Sequence, residues 1–468
     1  MLRKKDWYSN VLTGSVNTQI AEESLMSNCL LVRYCSIIFT ILLLNLQGCA
    51  TSAQKTANMR AYVVQSQYDL ALVEAESALL KDITGVMQNM NVGLLRRLVK
   101  DFKGSNKAFE VAKQKIEELY TTSLSEQASA TITNDEMISF QGDRFEQILI
   151  HLYMASNYLD LNELDSARVE LLQSQVKMNE WGEPKDEVAF MRYFSGILFE
   201  LMGEDDSAAV SYRKAVDAYK NTHDKHGLEV PYQLRIDLLR VLANLGLWSE
   251  VDLYKKQLNL SDYKVQKQTS NTGLIVILGN GVVGQREQRV FQTWSPQLKY
   301  NVRVAVPDYV QPPAIINKAR VRIDERVFTM QTVSKVDALA RAALRENINS
   351  ITTRAIARAV VKKRSEKEVG EKTGAFGQFA TMIVNFSTEI ADTRSWNTLP
   401  QEFDLARIEL PEGDYSVAIE LLNASGYIVD VVYENVTIKK GVMTVINRRW
   451  TSPVSRHVSF NKSAPNVN

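Results

Sequence analysis

From about residue 61 to 268, apolar and small residues recur every three or four positions, the spacing of one buried face of an α-helix. After that the period drops to two. Leu274-Ile275-Val276-Ile277-Leu278 reads as a buried strand, Tyr300–Val306 alternates, and Pro307 to Pro313 reads as an extended break. Arg320–Ile323 and Arg326–Met330 flank Asp324-Glu325 as a hairpin. Four more strands are predicted over 404–410, 415–422, 427–438 and 442–449, joined by the turns Pro411–Asp414, Asn423–Gly426 and Lys439–Gly441. Between the strand groups, 334–367 carries Leu339, Ala343, Leu344, Ile348, Ile351, Ala355 and Ala359 on one stripe. The basic residues Arg341, Arg345, Arg354, Arg358, Lys362, Lys363 and Arg364 cover much of the rest. An apolar stretch, 375–391, follows Gly370 and Gly374. The expected fold is α+β: a helical array over 61–268, then a mostly antiparallel β-sandwich-like domain over 271–452, with a helical hairpin inserted at 334–391.

The helical half repeats. Counting 34 residues from Ala189, the residues Gly196, Phe199, Gly203, Ala208, Tyr212 and Ala215 fall at positions 8, 11, 15, 20, 24 and 27. The unit from Ile148 puts Ala155, Tyr158, Ala167, Leu171 and Ser174 at positions 8, 11, 20, 24 and 27. The unit from Tyr232 has Leu242, Gly246, Trp248 and Leu258 at 11, 15, 17 and 27. The unit from Val86 has Gly93, Phe102, Phe109 and Ala112 at 8, 17, 24 and 27, and 62–80 reads as the end of an earlier one. Small residues where two helices cross, with aromatic residues filling the space beside them, make this a tetratricopeptide-like array. The Thr-, Ser- and Gln-rich stretch 120–140 reads as a loop, and 221–230 with Pro231 as a separator.

Ahead of the array, Ser36–Leu44 is an apolar run closed by Leu46-Gln47-Gly48-Cys49, with Arg33 upstream. A run this short falls below the roughly 20 apolar residues that span a bilayer. It has the layout of a secretory signal, 1–48, cleaved before a cysteine that is then acylated. Arg3, Lys4 and Lys5 lie too far upstream to serve it, so the true start is expected at Met26. Residues 49–60 read as a polar tether. Stable anchoring takes two or more acyl chains, which a lipidated Cys49 would carry.

Composition narrows the chemistry. A formal charge of +1 argues against a generic nucleic-acid binder. The three cysteines, Cys29, Cys35 and Cys49, all lie in or beside the signal, so neither a disulfide nor a cysteine nucleophile is expected in the folded part. Of the four histidines, His223 and His226 flank Asp224 in what reads as a solvated loop; no metal and no cofactor is expected. Gly279-Asn280-Gly281-Val282-Val283-Gly284 matches G-x-G-x-x-G, but strand-like residues follow it instead of a helix. A turn between strands is the better reading.

Asp392, Arg394 and Trp396 form a compact polar and aromatic group within Ala391-Asp392-Thr393-Arg394-Ser395-Trp396-Asn397-Thr398-Leu399-Pro400. With the lipidation box and the repeats, this segment resembles a signature of a family of uncharacterised proteobacterial outer-membrane lipoproteins. The resemblance implies an address, the periplasmic face of the outer membrane, and an architecture, but no activity. The expected function is a non-enzymatic scaffold for a cell-envelope complex, binding an envelope protein through the repeat groove. Two alternatives accompany it: a ligand-binding protein or enzyme using the β domain at Asp392, Arg394 and Trp396, or a peptidoglycan- or lipid-binding element along the basic helix 341–364. The tail, 453–468, is expected to be flexible.

Overall fold

The computed structural model describes residues 56–81, 85–130, 139–182, 187–265, 272–296, 299–387 and 390–451. Cys29, Cys35, Cys49, the signal, most of the tether, His457 and the 453–468 tail lie outside the described residues. The described residues of 56–365 and 390–451 pack as one compact unit.

Ten helices form five antiparallel pairs: α1 Ala57–Val64 with α2 Tyr68–Leu79, α3 Val86–Leu98 with α4 Phe102–Ala130, α5 Arg144–Asp160 with α6 Leu164–Trp181, α7 Ala189–Leu201 with α8 Asp205–His226, and α9 Tyr232–Asn244 with α10 Trp248–Gln257. Their turns are alike. Ser66, Lys100, Asn162, Gly203 and Gly246 all occupy position 15 and all have φ between 57° and 76°. In every pair the next N–H returns to the carbonyl at position 11: Gln67 to Tyr62, Asp101 to Arg96, Glu163 to Tyr158, Glu204 to Phe199 and Leu247 to Leu242. This is the left-handed helix stop in which the N–H two residues past the cap closes on the last turn. Glycine is absent at three of the five positions, so the sequence marks the repeat less clearly than the backbone does.

The helix crossings are set by size. A methyl on Gly93 would lie 2.6 Å from the Phe109 ring, and one on Gly196 would collide with the Tyr212 ring. Both pairs join position 8 to position 24.

Two stretches read as loops are helical in part, and 131–138 of the first lie outside the described residues. α4 continues through 120–130, and α8 runs to His226, where Gly227 at φ 62° stops it. Neither stretch contains proline, so nothing in either removes a helical hydrogen bond.

Among the described residues ten strands follow: β1 Gly273–Asn280, β2 Gln285–Ser295, β3 Tyr300–Val310, β4 Lys318–Ile323, β5 Arg326–Thr329, β6 Gln331–Lys335, then β7 Glu402–Glu409, β8 Gly413–Leu422, β9 Ile428–Ile438 and β10 Met443–Trp450. The order β10-β1-β7-β6 makes one four-stranded sheet, with β1 and β10 parallel and the other neighbours antiparallel. A second sheet, β5-β4-β8-β9, is fully antiparallel. Leu274, Val276 and Leu278 meet Val321, Ile323, Val417 and Ile419 between the two sheets. The alternate residues Ile275 and Ile277, with Phe403 and Leu405, pack on Tyr153, Phe190 and Phe194 of the helices. The first sheet is therefore a middle layer with two dry faces, which is why β1 reads as an unbroken apolar run.

β2 and β3 form a separate ribbon through all of 285–295 and 300–310. The expected break at Pro307 does not occur, because a strand of a two-stranded ribbon has a free edge that needs no N–H donor. The insert is also different from expectation. α11 is one helix, Val336–Ser387, and not a hairpin. Gly370 and Gly374 each cost a helix only about 1 kcal/mol, and no proline lies between Pro313 and Pro400 to end it. Residues 334–335 belong to β6, paired with β7. Ala355 of α11 packs with Val302, Val304 and Val306 of the ribbon, and Arg358 is wholly buried, off the solvated side assigned to it by sequence.

Candidate functional site

Every first helix of the five pairs makes a polar contact with the β domain or the segment entering it. Arg60 of α1 donates to the carbonyls of Asn397 (2.9 Å) and Val283 (2.6 Å). Asn91 of α3 accepts from the Thr398 hydroxyl at 2.9 Å. Glu146 of α5 accepts the Trp396 N–H at 2.6 Å. Glu200 of α7 and Asp237 of α9 both face Arg407 of β7, at 2.7 and 3.4 Å. The helices that line the inner face of such an array are thus largely covered by the chain's own sheet and strap.

Residues 390–401 are that strap. Trp396 is 0% exposed and packs edge-on against Phe109 and Tyr153, each at 5.7 Å. Its indole N–H has no partner among the described residues. Asp392 and Arg394 pair with each other at 2.8 Å, and the guanidinium lies 5.5 Å from the Phe140 ring. The three residues singled out by sequence do lie together. Trp396 is a core residue, however, and Arg394 a half-buried partner of Asp392, not two side chains open to a ligand.

Beside the strap sits a buried acidic group that sequence reasoning missed. Asp143 and Glu146 stand at the start of α5 as a capping box, with the Asp143 N–H donating to Glu146 at 2.8 Å. Arg286 of β2 pairs with Asp143. Burial, with the nearby Asp143 charge, pushes the Glu146 carboxyl up to about 8 against the pull of Arg286. The D-x-x-E spacing was the available signal.

The second clasp is a charge cluster around Arg407. Arg240 pairs with Glu200 and, at 3.1 Å, with Asp237. Tyr193 donates to Asp237 at 2.7 Å, and Tyr212 donates to Glu200. Burial alone would raise the Glu200 carboxyl, but Arg407 and Arg240 outweigh it and hold it at about 2. Two carboxylates and two guanidinium groups balance, which is the condition for burying charge at tolerable cost. The sequence signal was an arginine on the apolar face of β7, two residues after Leu405.

Other candidates resolve as structure. Gly281 turns at φ 65° between β1 and β2, Val283 donates to the Leu399 carbonyl at 2.9 Å, and Gly284 donates to Asp337 at 2.7 Å. His151 meets Glu170 at 2.7 Å, with Lys113 on the same carboxylate at 3.1 Å; burial lowers the imidazole's proton affinity. His223 and His226 lie at the end of α8, where His223 faces the Leu228 carbonyl at 3.3 Å. Among the described residues no three His, Cys, Asp or Glu side chains are grouped to hold a metal, and no helix is long and apolar enough to cross a membrane.

One open feature among the described residues is a cavity of about 300 Å³ between the helices and β10, lined by Leu159, Phe194, Leu201, Ile277, Met443 and Asn447 among others.

No protein-family model matches the chain, and no curated protein sequence does. Among solved structures, a crystal structure of MamA is similar at 13% identity over 43% of this chain and 92% of its own, with a TM-score of 0.29. The apo form of RapI is similar at 15% identity over 49% and 59%, with a TM-score of 0.34. BtubC (BKLC) from P. vanneervenii is similar at 16% identity over 47% and 80%, with a TM-score of 0.28. Likeness at these scores carries no argument about function.

Proposed function

We propose that the protein is an outer-membrane lipoprotein, held at the periplasmic face by acylated Cys49, that acts as a protein–protein interaction scaffold in a cell-envelope complex. The observation that carries this reading is the five-pair helical array locked to its own sheet by the strap and the Arg407 cluster. Such arrays serve as extended binding surfaces, and here the inner face is partly used in cis. Partners are left the uncovered part of that face beside β10 and the outer helices, where Val169, Leu172 and Val176 of α6 are exposed at helical spacing.

Fractionation and crosslinking in cells test both halves of the proposal. Cys49→Ser should move the chain from membrane to soluble periplasm; unchanged membrane retention refutes the anchor. Crosslinked complexes should form with the wild-type chain and weaken with Val169→Glu/Val176→Glu or with Asn447→Trp in the cavity. A crosslinking pattern identical in all three chains refutes the scaffold.

A further inference from the structure

The sheet covers the inner face of the array unevenly. β10 is hydrogen-bonded to β1 along one edge and to no strand along the other, among the described residues. The cavity of about 300 Å³ lies against β10 on the side that faces the helices, lined by Met443, Thr444, Val445 and Asn447 of that strand and by Thr437 and Lys439 at the end of β9. Its floor is apolar, built from Leu159 of α5, Phe194 and Leu201 of α7, Ile277 of β1 and Met443 of β10. Thr444 and Asn447 of β10 line it as well, together with Asn162, the left-handed residue of the α5–α6 turn. Lys439 is one of the lining residues and Lys440 follows it in the chain; both are exposed, and neither ammonium has an ion-pair partner among the described residues.

We propose that this slot receives an extended peptide segment of a protein partner, laid along β10 as a fifth strand of the sheet. An open edge supplies unpaired backbone donors and acceptors, and strand addition satisfies them whatever the sequence of the guest. Specificity then comes from the side chains of alternate residues, which point to one face of a strand. One apolar side chain of the guest enters the cavity, and a carboxylate, from Asp, Glu or a chain terminus, meets Lys439 and Lys440. The cavity is at the small end of ligand sites, which span roughly 300–1,000 Å³, and so suits a side chain or two better than a cofactor. The inference deepens the scaffold reading and rests on it: it names the kind of segment the scaffold grips and where.

The test is to pan a random phage-displayed peptide library of strand length against the full mature chain, then measure affinities of synthetic copies of the enriched peptides. Enriched peptides should alternate apolar with polar residues and carry an acidic group. Asn447→Trp, which fills the cavity, should weaken them about tenfold or more, the worth of one apolar side chain kept out. Lys439→Glu, a surface change with no packing consequence, should weaken them several-fold. Val73→Glu, at an exposed position of α2, should leave their affinities unchanged. Equal binding to wild type, Asn447→Trp and Lys439→Glu overturns the proposal, as does failure to enrich any alternating acidic peptide. Peptides that bind only a chain truncated after Thr451 also overturn it, since the slot then belongs to the protein's own C-terminal segment. If the in-cell crosslinks persist in Asn447→Trp while peptide binding is lost from wild type as well, the slot fails and the scaffold reading stands on another face.

Discussion

Replacing Arg407 with Met isolates the charge cluster that clasps β7 to α7 and α9. Arg407 and Arg240 balance Glu200 and Asp237, and all four side chains are at most 10% exposed. Arg407→Met leaves one uncompensated negative charge in a dry interface, which costs about 3–5 kcal/mol. Adding Glu200→Gln restores neutrality, leaving the Asp237–Arg240 pair intact at 3.1 Å. The double variant should therefore lose about 1–3 kcal/mol less than the sum of the two single losses. Urea unfolding of the signal-less chain at pH 7 reads these differences directly. The acid limb gives an independent check. Glu200 titrates at about 2 in the folded chain against an ordinary 4.5. A depressed carboxyl contributes stability above its unfolded value and loses it as pH falls from 4.5 through 2. At about 1.4 kcal/mol per pH unit, that contribution is about 3 kcal/mol, and it should be absent from Glu200→Gln. A loss under about 1 kcal/mol for Arg407→Met, or strict additivity in the double variant, would refute the claim that a balanced cluster holds the two halves together.

Three further outcomes are expected. Gly196→Ala drives a methyl into the Tyr212 ring and should cost about 1–3 kcal/mol despite alanine's better helix propensity, measured as a drop in unfolding temperature or urea midpoint; a neutral or stabilising result would show that the crossing can widen. Trp396→Ala should cost about 3–5 kcal/mol. Trp396→Phe should cost much less, because it keeps a ring against Phe109 and Tyr153 and removes a buried N–H without a partner among the described residues; equal losses would contradict this. Glu146, raised to about 8 by burial, should make stability fall as pH rises from 4.5 through 8, with a limiting slope of about 1.4 kcal/mol per unit. Melting temperature against pH should show that decline in the wild type and a flatter line in Glu146→Gln.

What local sequence carries was legible. The repeat phase follows from which residues permit two helices to cross, as Gly93 and Gly196 do, and β1 is recognisable because five successive apolar residues suit a strand buried on both faces. The hairpin at Asp324-Glu325 and the turn at Gly281 are local for the same reason. The length of α11 was misjudged, because a glycine weakens a helix by an amount that neighbouring turns can absorb. Partnership was beyond the sequence. Nothing near Arg407 in the chain announces Glu200, more than two hundred residues earlier, and nothing near Trp396 announces Glu146. Period and propensity depend on neighbours a few residues apart. The covering of the repeat array by its own sheet, and the cavity against β10, depend on where the two halves meet, and only the tertiary packing decides that.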